Sequence, residues 1–281
     1  MTAIGLALLS ALLFGGMSVA LRIALQRERD VAVGTMATVA TALAVALAWV
    51  AAEAPARGVH AGAAWPFALA GLLSPGAAQL LVTLAIRESG ASRVSMVFGA
   101  APLVSVTIAL VALDEPVRAL LIVGAILIVA GGTELARERD RPGHLRARGL
   151  VYAFLGVMLF ATRDNLVRWL SGSTSAPPAV AATAALLGGG LLAAMAVHPR
   201  LDRRWLPFVP AGLLFGSSYV SLFEAYYRGR VTVVSPFVAT ESLWGVALSV
   251  LLLRETEVVG RRLVLGALLI VGGGALIGAF R

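Results

Sequence analysis

The chain has 281 residues, of which 59% are hydrophobic and only 14% are charged, and its mean hydropathy is +0.90. This composition excludes an ordinary soluble domain and is typical of a helical membrane protein. The net charge of +8 comes from 23 basic residues, all of them arginine. Because lysine and cysteine are absent, the sequence excludes Schiff-base cofactors, disulfides and thiolate metal sites, and we expect no cofactor.

Two further function classes are disfavoured by where the polar residues fall. The three histidines, His60, His144 and His198, lie in or beside loops, so no histidine is available at bilayer depth for haem ligation or for a serine nucleophile. A membrane enzyme is therefore the least favoured class. The arginines lie mostly in short loops between apolar runs, and membrane topology explains them better than a nucleic-acid partner does.

Apolar runs separated by charged or Gly/Pro-rich breaks predict ten transmembrane helices, each close to the roughly 20 residues that a span requires. The predicted spans are residues 2–25, 32–52, 65–86, 94–113, 117–135, 149–170, 177–198, 205–227, 231–253 and 258–280. The fold class is thus an all-α polytopic membrane protein. Five spans precede a charged connector at residues 137–148, so we expect two units, residues 1–136 and 149–281.

The two units repeat each other in sequence. A shift of 140 residues aligns the start of residues 95–132 with that of residues 235–274, and their endings, GAILIVAGG and GALLIVGGG, agree at seven of nine positions. The third spans share PFALAGLL and PFVPAGLL, and in the first spans Phe14 and Arg22 match Phe160 and Arg168. With five spans in each unit the second copy must be inverted, which is the inverted-repeat architecture of many secondary transporters. Similar composition is the alternative explanation.

The arginines also predict an orientation in the membrane. Loops after the odd-numbered spans contain fifteen arginines, and the opposite side contains five. Since positively charged loops stay in the cytoplasm, both termini are expected on the non-cytoplasmic side of the membrane. The expected location is a cell membrane, and specifically a bacterial inner membrane.

Three motifs carry a family resemblance. The first span reads ALLFGGMSVALRIAL, and the units end in LDEP-x7-GAILIVAGG and LRETEVVGRRLVLGALLIVGGG. These motifs resemble those of EamA-type members of the drug/metabolite transporter superfamily. The resemblance implies a transporter of ten helices whose substrates range from amino acids and other metabolites to sugar phosphates and nucleotide sugars. The sequence lacks the lysines that phosphate-type exchangers use, and its first span lacks the acid of the four-span multidrug relatives.

Glu241 is the deepest charge in the sequence, some ten residues inside the ninth span, where the first unit has Ala101. A charge at mid-depth costs at least about 2.5 to 3.5 kcal/mol on insertion scales, so it needs a partner or a water-filled cavity. Glu241 is therefore predicted to bind a substrate ammonium or a coupling proton, or to pair with an arginine in helix packing. Trp244 and Phe237 share its helix face and would form a cation-binding wall or simply pack.

The sixth span carries Arg163, Asp164 and Arg168 near its end. Asp164 and Arg168 are four residues apart and are predicted to neutralise each other. Arg163 is left to receive a substrate carboxylate, to pair with Glu224 or Glu241, or to extend to the membrane interface.

The eighth span carries a polar stripe that is predicted to face a cavity rather than lipid. Its members are Ser217, Ser221, Glu224 and Arg228, at spacings of four, three and four residues. Glu224 and Arg228 would serve there as a gate. Tyr219 and Tyr226, on a neighbouring face, would stack on a ligand or lie at the interface.

The first unit contributes fewer polar candidates. Gln79 and Thr83 take the places of Tyr219 and Phe223 under the shift of 140, so they are predicted to line the same cavity. Proline in a membrane helix frees a carbonyl, which makes Pro75, Pro102 and Pro236 candidate hinges or ligand contacts.

Two groups of residues are predicted to be structural. Glu115 and Glu255 open the fifth and tenth spans, where a carboxylate offsets the positive end of a helix. The glycines of the closing motifs permit close helix approach, and Gly274 and Gly278 have the GxxxG spacing of a helix-dimer seam. A homodimer and a monomer both remain open.

Together these features predict a secondary transporter, not an enzyme, whose partners are a small-molecule solute and the lipid bilayer. The expected solute is a small zwitterionic or neutral metabolite, most simply an exported amino acid. Alternating access would operate around a midplane cavity between spans 1, 3, 4, 6, 8 and 9. The alternative is an exporter or flippase for drugs or lipid-like amphiphiles.

Overall fold

The computed structural model describes residues 2–101, 103–105, 107–108, 119–136, 147–197, 203–253 and 260–279. The chain in these ranges is mostly helical and contains no β-strand, which confirms the predicted all-α class. Six helical segments in these ranges are long and apolar enough to cross a membrane, as expected of a multi-pass membrane protein. They are Ala3–Arg27, Val31–Arg57, Trp65–Ser89, Arg148–Ser171, Pro178–Ala196 and Arg203–Arg228.

The described helices are numbered here in chain order. In the first unit they are α1 (Ala3–Arg27), α2 (Val31–Arg57), α3 (Trp65–Gly71), α4 (Ala78–Ser89), α5 (Ala91–Phe98) and α6 (Ala119–Ala136). In the second unit they are α7 (Arg148–Ser171), α8 (Pro178–Val197), α9 (Val209–Arg228), α10 (Val231–Val238), α11 (Glu241–Leu252) and α12 (Arg261–Ala279).

Local sequence signals set several of these helix ends. The Asp30 carboxylate accepts hydrogen bonds from the backbone N–H groups of Ala32 at 2.9 Å and Val33 at 3.3 Å, and so caps the start of α2. Gly90 separates α4 from α5 with a φ of 83°, a left-handed conformation that glycine adopts without strain. The chain therefore reverses at a residue that the sequence marks as a break.

The fourth and ninth predicted spans are both interrupted, and at equivalent positions. Helix α5 ends at Phe98 and is followed by a turn at residues 99–100. Helix α10 ends at Val238 and is followed by a turn at residues 239–240, which the shift of 140 places opposite the first turn. Glu241 is the first residue of α11, so the break brings a carboxylate to the start of a short helix inside the bundle.

The third predicted span is kinked between α3 and α4. Ser74 leaves the helical conformation, with φ −148° and ψ 121°, immediately before Pro75. Proline cannot donate a backbone hydrogen bond, so the kink is expected from the sequence. At this kink the carbonyl of Ser74 accepts a hydrogen bond of 2.7 Å from the hydroxyl of Tyr219 in α9.

One arginine in each unit binds the end of a neighbouring helix. Arg22 of α1 donates from Nη1 to the carbonyls of Ile86 and Arg87, at 3.4 and 3.2 Å. Arg168 of α7 donates from Nη1 to the carbonyl of Tyr226 at 3.0 Å. Arg168 is the aligned counterpart of Arg22, and Tyr226 is that of Ile86. Both arginines therefore bind backbone carbonyls in the last turn of a helix.

The glycines of the two closing motifs pack against each other. A Cβ atom on Gly131 of α6 would lie 2.6 Å from the carbonyl oxygen of Gly266, and one on Gly273 of α12 would lie 2.5 Å from that of Gly124. Neither position has room for a side chain, so these glycines allow the closest approach of α6 and α12.

Several sequence predictions fall outside the described residues. Pro102, Glu115, Glu255 and residues 137–146 of the connector belong to this group. Pro236 and Gly278 lie within described helices, but their side-chain surroundings are not described.

Candidate functional site

A small buried cavity lies in the middle of the bundle, between α1, α5, α7, α9 and the break that joins α10 to α11. It is lined by Ser10, Phe14, Phe98, Ala101, Phe160, Arg163, Asp164, Phe215, Ser218, Tyr219, Leu222, Val238 and Glu241. The cavity has a volume of about 30 Å³, which is enough for a few water molecules but not for a metabolite. The cavity in this structure is therefore too small to hold a metabolite.

Arg163 of α7 is the central charge of the cavity and is completely buried. Its guanidinium carbon lies 4.7 Å from the ring centroid of Tyr219, 5.2 Å from that of Phe160 and 5.7 Å from that of Phe223. Aromatic faces attract a cation, most strongly where water is excluded. None of its three side-chain nitrogens has a hydrogen-bond partner among the described residues. The rings hold the guanidinium in place while its donors remain available.

Asp164 lies beside Arg163 at the edge of the same cavity. Its Oδ1 is 3.3 Å from Arg163 Nη1, and its Oδ2 accepts a hydrogen bond of 2.8 Å from the hydroxyl of Tyr226. The predicted pairing of Asp164 with Arg168 is wrong, because Arg168 instead donates to the carbonyl of Tyr226. Tyr226 thus binds two residues of α7. Its carbonyl accepts a hydrogen bond from Arg168, and its hydroxyl donates one to Asp164.

Glu241 supplies a second carboxylate to the cavity. It is buried, with 4% of its surface exposed, and its Oε1 has no hydrogen-bond partner in the described part of the chain. The neighbouring hydroxyls serve the helix break instead, since Thr240 Oγ1 donates to the carbonyl of Phe237 and Ser242 Oγ to that of Ala239. An unpartnered carboxylate at this depth is positioned to receive a cationic group.

Trp244 does not share the cavity with Glu241. Its side chain is 41% exposed on the outer surface, and it is absent from the cavity lining. The aromatic wall comes instead from four phenylalanines on different helices, Phe14, Phe98, Phe160 and Phe215, whose rings meet at centroid distances of 5.4 to 6.1 Å. Long-range packing between helices, which spacing within one span does not reveal, determines this wall.

The hydroxyls at the cavity also differ from those predicted. Ser217 and Ser221 are outside the lining, and Ser221 Oγ donates to the carbonyl of Ser217 within α9. Ser10 and Ser218 line the cavity instead, and Ser218 Oγ donates to the Ser10 carbonyl at 2.9 Å. A signal for Ser10 existed in the sequence, because it precedes Phe14 by four residues and so shares its helix face.

Gln79 and Thr83 of α4 are completely buried but do not line this cavity. Thr83 Oγ1 donates to the carbonyl of Gln79 at 2.8 Å, while neither side-chain polar atom of Gln79 has a partner among the described residues. The third span reaches the site through the backbone of Ser74, which binds Tyr219. The cavity is therefore formed by spans 1, 4, 6, 8 and 9, and not by span 3.

A cluster of charges lies at one end of the bundle, which we call the Glu224 end. The buried Glu224 of α9 accepts hydrogen bonds from Arg57 of α2 and from Arg228 of α9, and Arg57 also contacts Glu53 at 3.2 Å. Glu224 and Arg228, which the sequence suggested as gate residues, form an ion pair within α9, and their role as a gate stays a prediction. The contact of Arg57 was not predicted, because its span is distant in sequence. The cluster ties α2 to α9 beyond the cavity.

A second cluster lies at the opposite end, which we call the Glu88 end. Glu88 of α4 contacts Arg87 at 3.1 Å and Arg148 of α7 at 2.9 Å. This cluster ties the last turn of α4 to the first turn of α7. The cavity therefore lies between two ion-pair clusters, one at each end of the bundle.

Within the described part of the chain, no three His, Asp or Glu side chains lie close enough together to hold a metal ion.

Comparison with known proteins matches the chain to one family. The EamA-like transporter family matches it twice, over residues 1–133 and residues 147–279. One protein of known crystal structure has a similar fold, with a TM-score of 0.69 and 19% sequence identity to this chain. The superposition covers 98% of this chain and 95% of the chain in that crystal structure. That similarity concerns the fold alone. No curated protein matches the sequence at a significant level.

Proposed function

The chain belongs to the EamA-like transporter family of membrane transporters, and we propose that it carries a small zwitterionic metabolite, most simply an amino acid, across the membrane. The observation that carries the proposal is that Arg163 and Glu241 line the same cavity. Both are buried and both retain polar atoms without hydrogen bonds among the described residues. A solute with a carboxylate and an ammonium would satisfy both groups at once.

The composition of the cavity favours a zwitterion over more highly charged solutes. Among the described residues of the lining, Arg163 is the one basic side chain, and Asp164 and Glu241 are the acidic ones. A phosphate carries up to two negative charges and usually needs several basic groups. One arginine flanked by two acids suits a single carboxylate that is accompanied by a positive group.

The proposed architecture is ten transmembrane helices in two inverted repeats, residues 1–136 and 149–281, joined by the connector at residues 137–148. The paired breaks after Phe98 and Val238 support this arrangement, as do the paired contacts of Arg22 and Arg168. The double match to the family and the meeting of the two closing motifs are consistent with it. Interrupted helices around a midplane site are a common feature of inverted-repeat transporters.

Alternating access would then open the two charge clusters in turn. Opening at the Glu224 end requires Arg57 of α2 to separate from Glu224 of α9, and opening at the Glu88 end requires Arg148 of α7 to separate from Glu88 of α4. The cavity lies between them and is too small to hold a metabolite in this structure. Both clusters join helices that lie apart in sequence, as a gate between moving parts must.

The proposed location is a bacterial inner membrane with both termini outside the cytoplasm. The excess of arginine in the loops after odd-numbered spans supports this orientation, and it places the Glu88 end toward the cytoplasm. Export is the direction expected from the resemblance to EamA-type exporters. A reporter fused to Arg281 that is active only in the cytoplasm would overturn the orientation.

Counterflow in proteoliposomes tests the transport activity. Liposomes loaded with one unlabelled amino acid from a panel should accumulate the same labelled amino acid, with saturation, when they contain the protein. The variant Glu241→Gln should lose most of this counterflow, because it removes the charge that receives the ammonium. Folded protein without saturable exchange of any amino acid would falsify the substrate class.

An amphiphile exporter is a second candidate, favoured by the four phenylalanines that line the cavity. Apolar cations and lipid-like molecules bind such surfaces. The same assay separates the two candidates. An amphiphile exporter would show no amino-acid counterflow, and its transport of an apolar cation would depend on Phe160 more than on Arg163.

A further inference from the structure

The ion pair between Arg163 and Asp164 leaves the arginine poorly satisfied. The contact of 3.3 Å joins Nη1 and Oδ1, yet neither atom makes a hydrogen bond within the described ranges. The cause is geometric, because consecutive residues of an α-helix point about 100° apart and their side chains do not face each other. A guanidinium binds a carboxylate best through two parallel hydrogen bonds, which Asp164 cannot offer from the adjacent position.

Asp164 also has a second partner that does not depend on Arg163. Its Oδ2 accepts the hydrogen bond of 2.8 Å from Tyr226, which belongs to α9, while Arg163 and Asp164 belong to α7. If another anion replaced Oδ1 beside Arg163, Asp164 would keep this hydrogen bond. Asp164 can therefore release the arginine without becoming a buried carboxylate that lacks any partner.

A buried arginine requires a negative partner when the site is empty as well as when it is occupied. In the empty site the adjacent carboxylate supplies it. We propose that Asp164 is the internal counterion of Arg163 in the empty transporter and that the carboxylate of the solute displaces it. The identity of that solute rests on the proposed function, whereas the exchange of counterions needs only a carboxylate.

The displacement narrows the class of solute. A ligand with one carboxylate replaces one negative partner of Arg163, and an ammonium on the same molecule faces Glu241. A zwitterion leaves the net charge of the cavity unchanged, whereas a simple carboxylate adds a negative charge beside Asp164 and Glu241. Monocarboxylate zwitterions should bind more tightly than the corresponding simple carboxylates or amino amides.

The variant Asp164→Asn tests the proposal, because it preserves the shape of the side chain and an acceptor for Tyr226 but removes the charge. The purified variant should unfold at a lower temperature than the unaltered protein. Formate, the smallest carboxylate, should restore the unfolding temperature, whereas chloride at the same concentration should not. The double variant Arg163→Gln/Asp164→Asn should not respond to formate.

Asp30→Asn is the matched control. Asp30 is a carboxylate that caps α2 near Arg204 and does not line the cavity, and asparagine is also a good cap. Formate and chloride should act alike on this variant. A formate effect of equal size in both variants would overturn the proposal, as would an Asp164→Asn variant that is as stable as the unaltered protein and indifferent to formate.

Tyr226→Phe provides a second test in case Asp164→Asn does not fold. It keeps both charges but removes the group that holds Asp164 after displacement, so the formate concentration that gives half of the maximal stabilisation should rise several-fold. The proposal would be contradicted if Tyr226→Phe and the unaltered protein required the same formate concentration for half-maximal stabilisation.

Counterflow by the unaltered protein is measured separately and decides the proposed function, while the formate response decides the counterion exchange. For an amino acid that supports counterflow, Asp164→Asn should lower the half-saturating concentration at least about tenfold, because the internal competitor is gone. A higher or unchanged half-saturating concentration would overturn the inference even where transport is established.

Discussion

The hydroxyl of Tyr219 donates a hydrogen bond of 2.7 Å to the carbonyl of Ser74, and the ring of the same tyrosine covers the guanidinium of Arg163 at 4.7 Å. One side chain thus joins the kink of the third span to the central charge of the cavity. Tyr219 occupies the position of Gln79 in the other unit, so this connection has no counterpart across the repeat.

Replacing Tyr219 separates its two contacts. Tyr219→Phe should lower the free energy of unfolding by about 1 to 3 kcal/mol, because the buried Ser74 carbonyl loses its donor. Tyr219→Leu should be less stable still, by up to about 2 kcal/mol more, because it also removes the ring that faces Arg163. Thermal unfolding in detergent should rank the unaltered protein first, Phe second and Leu third. Equal unfolding temperatures for the first two would show that the hydrogen bond is unimportant.

Arg163→Lys should raise the half-saturating concentration for amino-acid counterflow at least about tenfold, although it conserves the charge. Lysine lacks the planar fork that matches a carboxylate and stacks poorly on the aromatic rings. The exposed Arg27 at the end of α1 offers a matched control, and Arg27→Lys should leave the half-saturating concentration unchanged. Equal values for Arg163→Lys and the unaltered protein would exclude direct contact between Arg163 and the solute.

Glu224→Gln should make the cavity more accessible from the Glu224 end, because Arg57 and Arg228 lose the carboxylate that holds them together. The chain has no cysteine, so Leu222→Cys in the cavity lining provides a label site without background. A membrane-impermeant thiol reagent should modify it several-fold faster in the Glu224→Gln protein. Glu53→Gln should have a smaller effect, since Glu53 contacts only Arg57 of this cluster and is more exposed. Equal labelling rates in all three proteins would exclude a gate at Glu224.

Gly273→Ala should destabilise the bundle, because the added Cβ would lie 2.5 Å from the carbonyl oxygen of Gly124 and force α6 and α12 apart. The adjacent Gly272 is an internal control, as a Cβ there meets nothing within 4 Å in the described part of the chain. Gly272→Ala should be neutral or stabilising by up to about 1 kcal/mol, as alanine is favoured within a helix. The yield and unfolding temperature of the two purified variants compare them directly, and a Gly273→Ala protein as stable as Gly272→Ala would contradict close packing at this seam.

The sequence predicted the features that depend on neighbouring residues in the chain. Hydropathy indicated the helical membrane class, and Pro75 indicated the kink of the third span. The loss of symmetry at Glu241 pointed to the cavity, which Arg163, Asp164 and Tyr219 also line. The predictions that failed concern which way a side chain points from its helix. Trp244 faces outward, and Asp164 contacts Arg163 and Tyr226 instead of Arg168. A spacing of four residues permits an ion pair between Asp164 and Arg168, but the pair does not form because Asp164 has other partners, Arg163 and Tyr226, in the buried site.

What the sequence by itself determined is the class of protein, because the apolar runs, the absence of lysine and cysteine, and the repeated motifs are properties of the chain whatever its packing. Only the tertiary structure decided which polar groups share the cavity. Ser10 and Ser218 meet across two helices, and Arg57 reaches Glu224 from a distant span. Arg163 lies between three rings, and its donors have no hydrogen-bond partner among the residues that the structure describes. Whether a buried polar atom finds a partner depends on the helices packed around it, and this information is not contained in any single span.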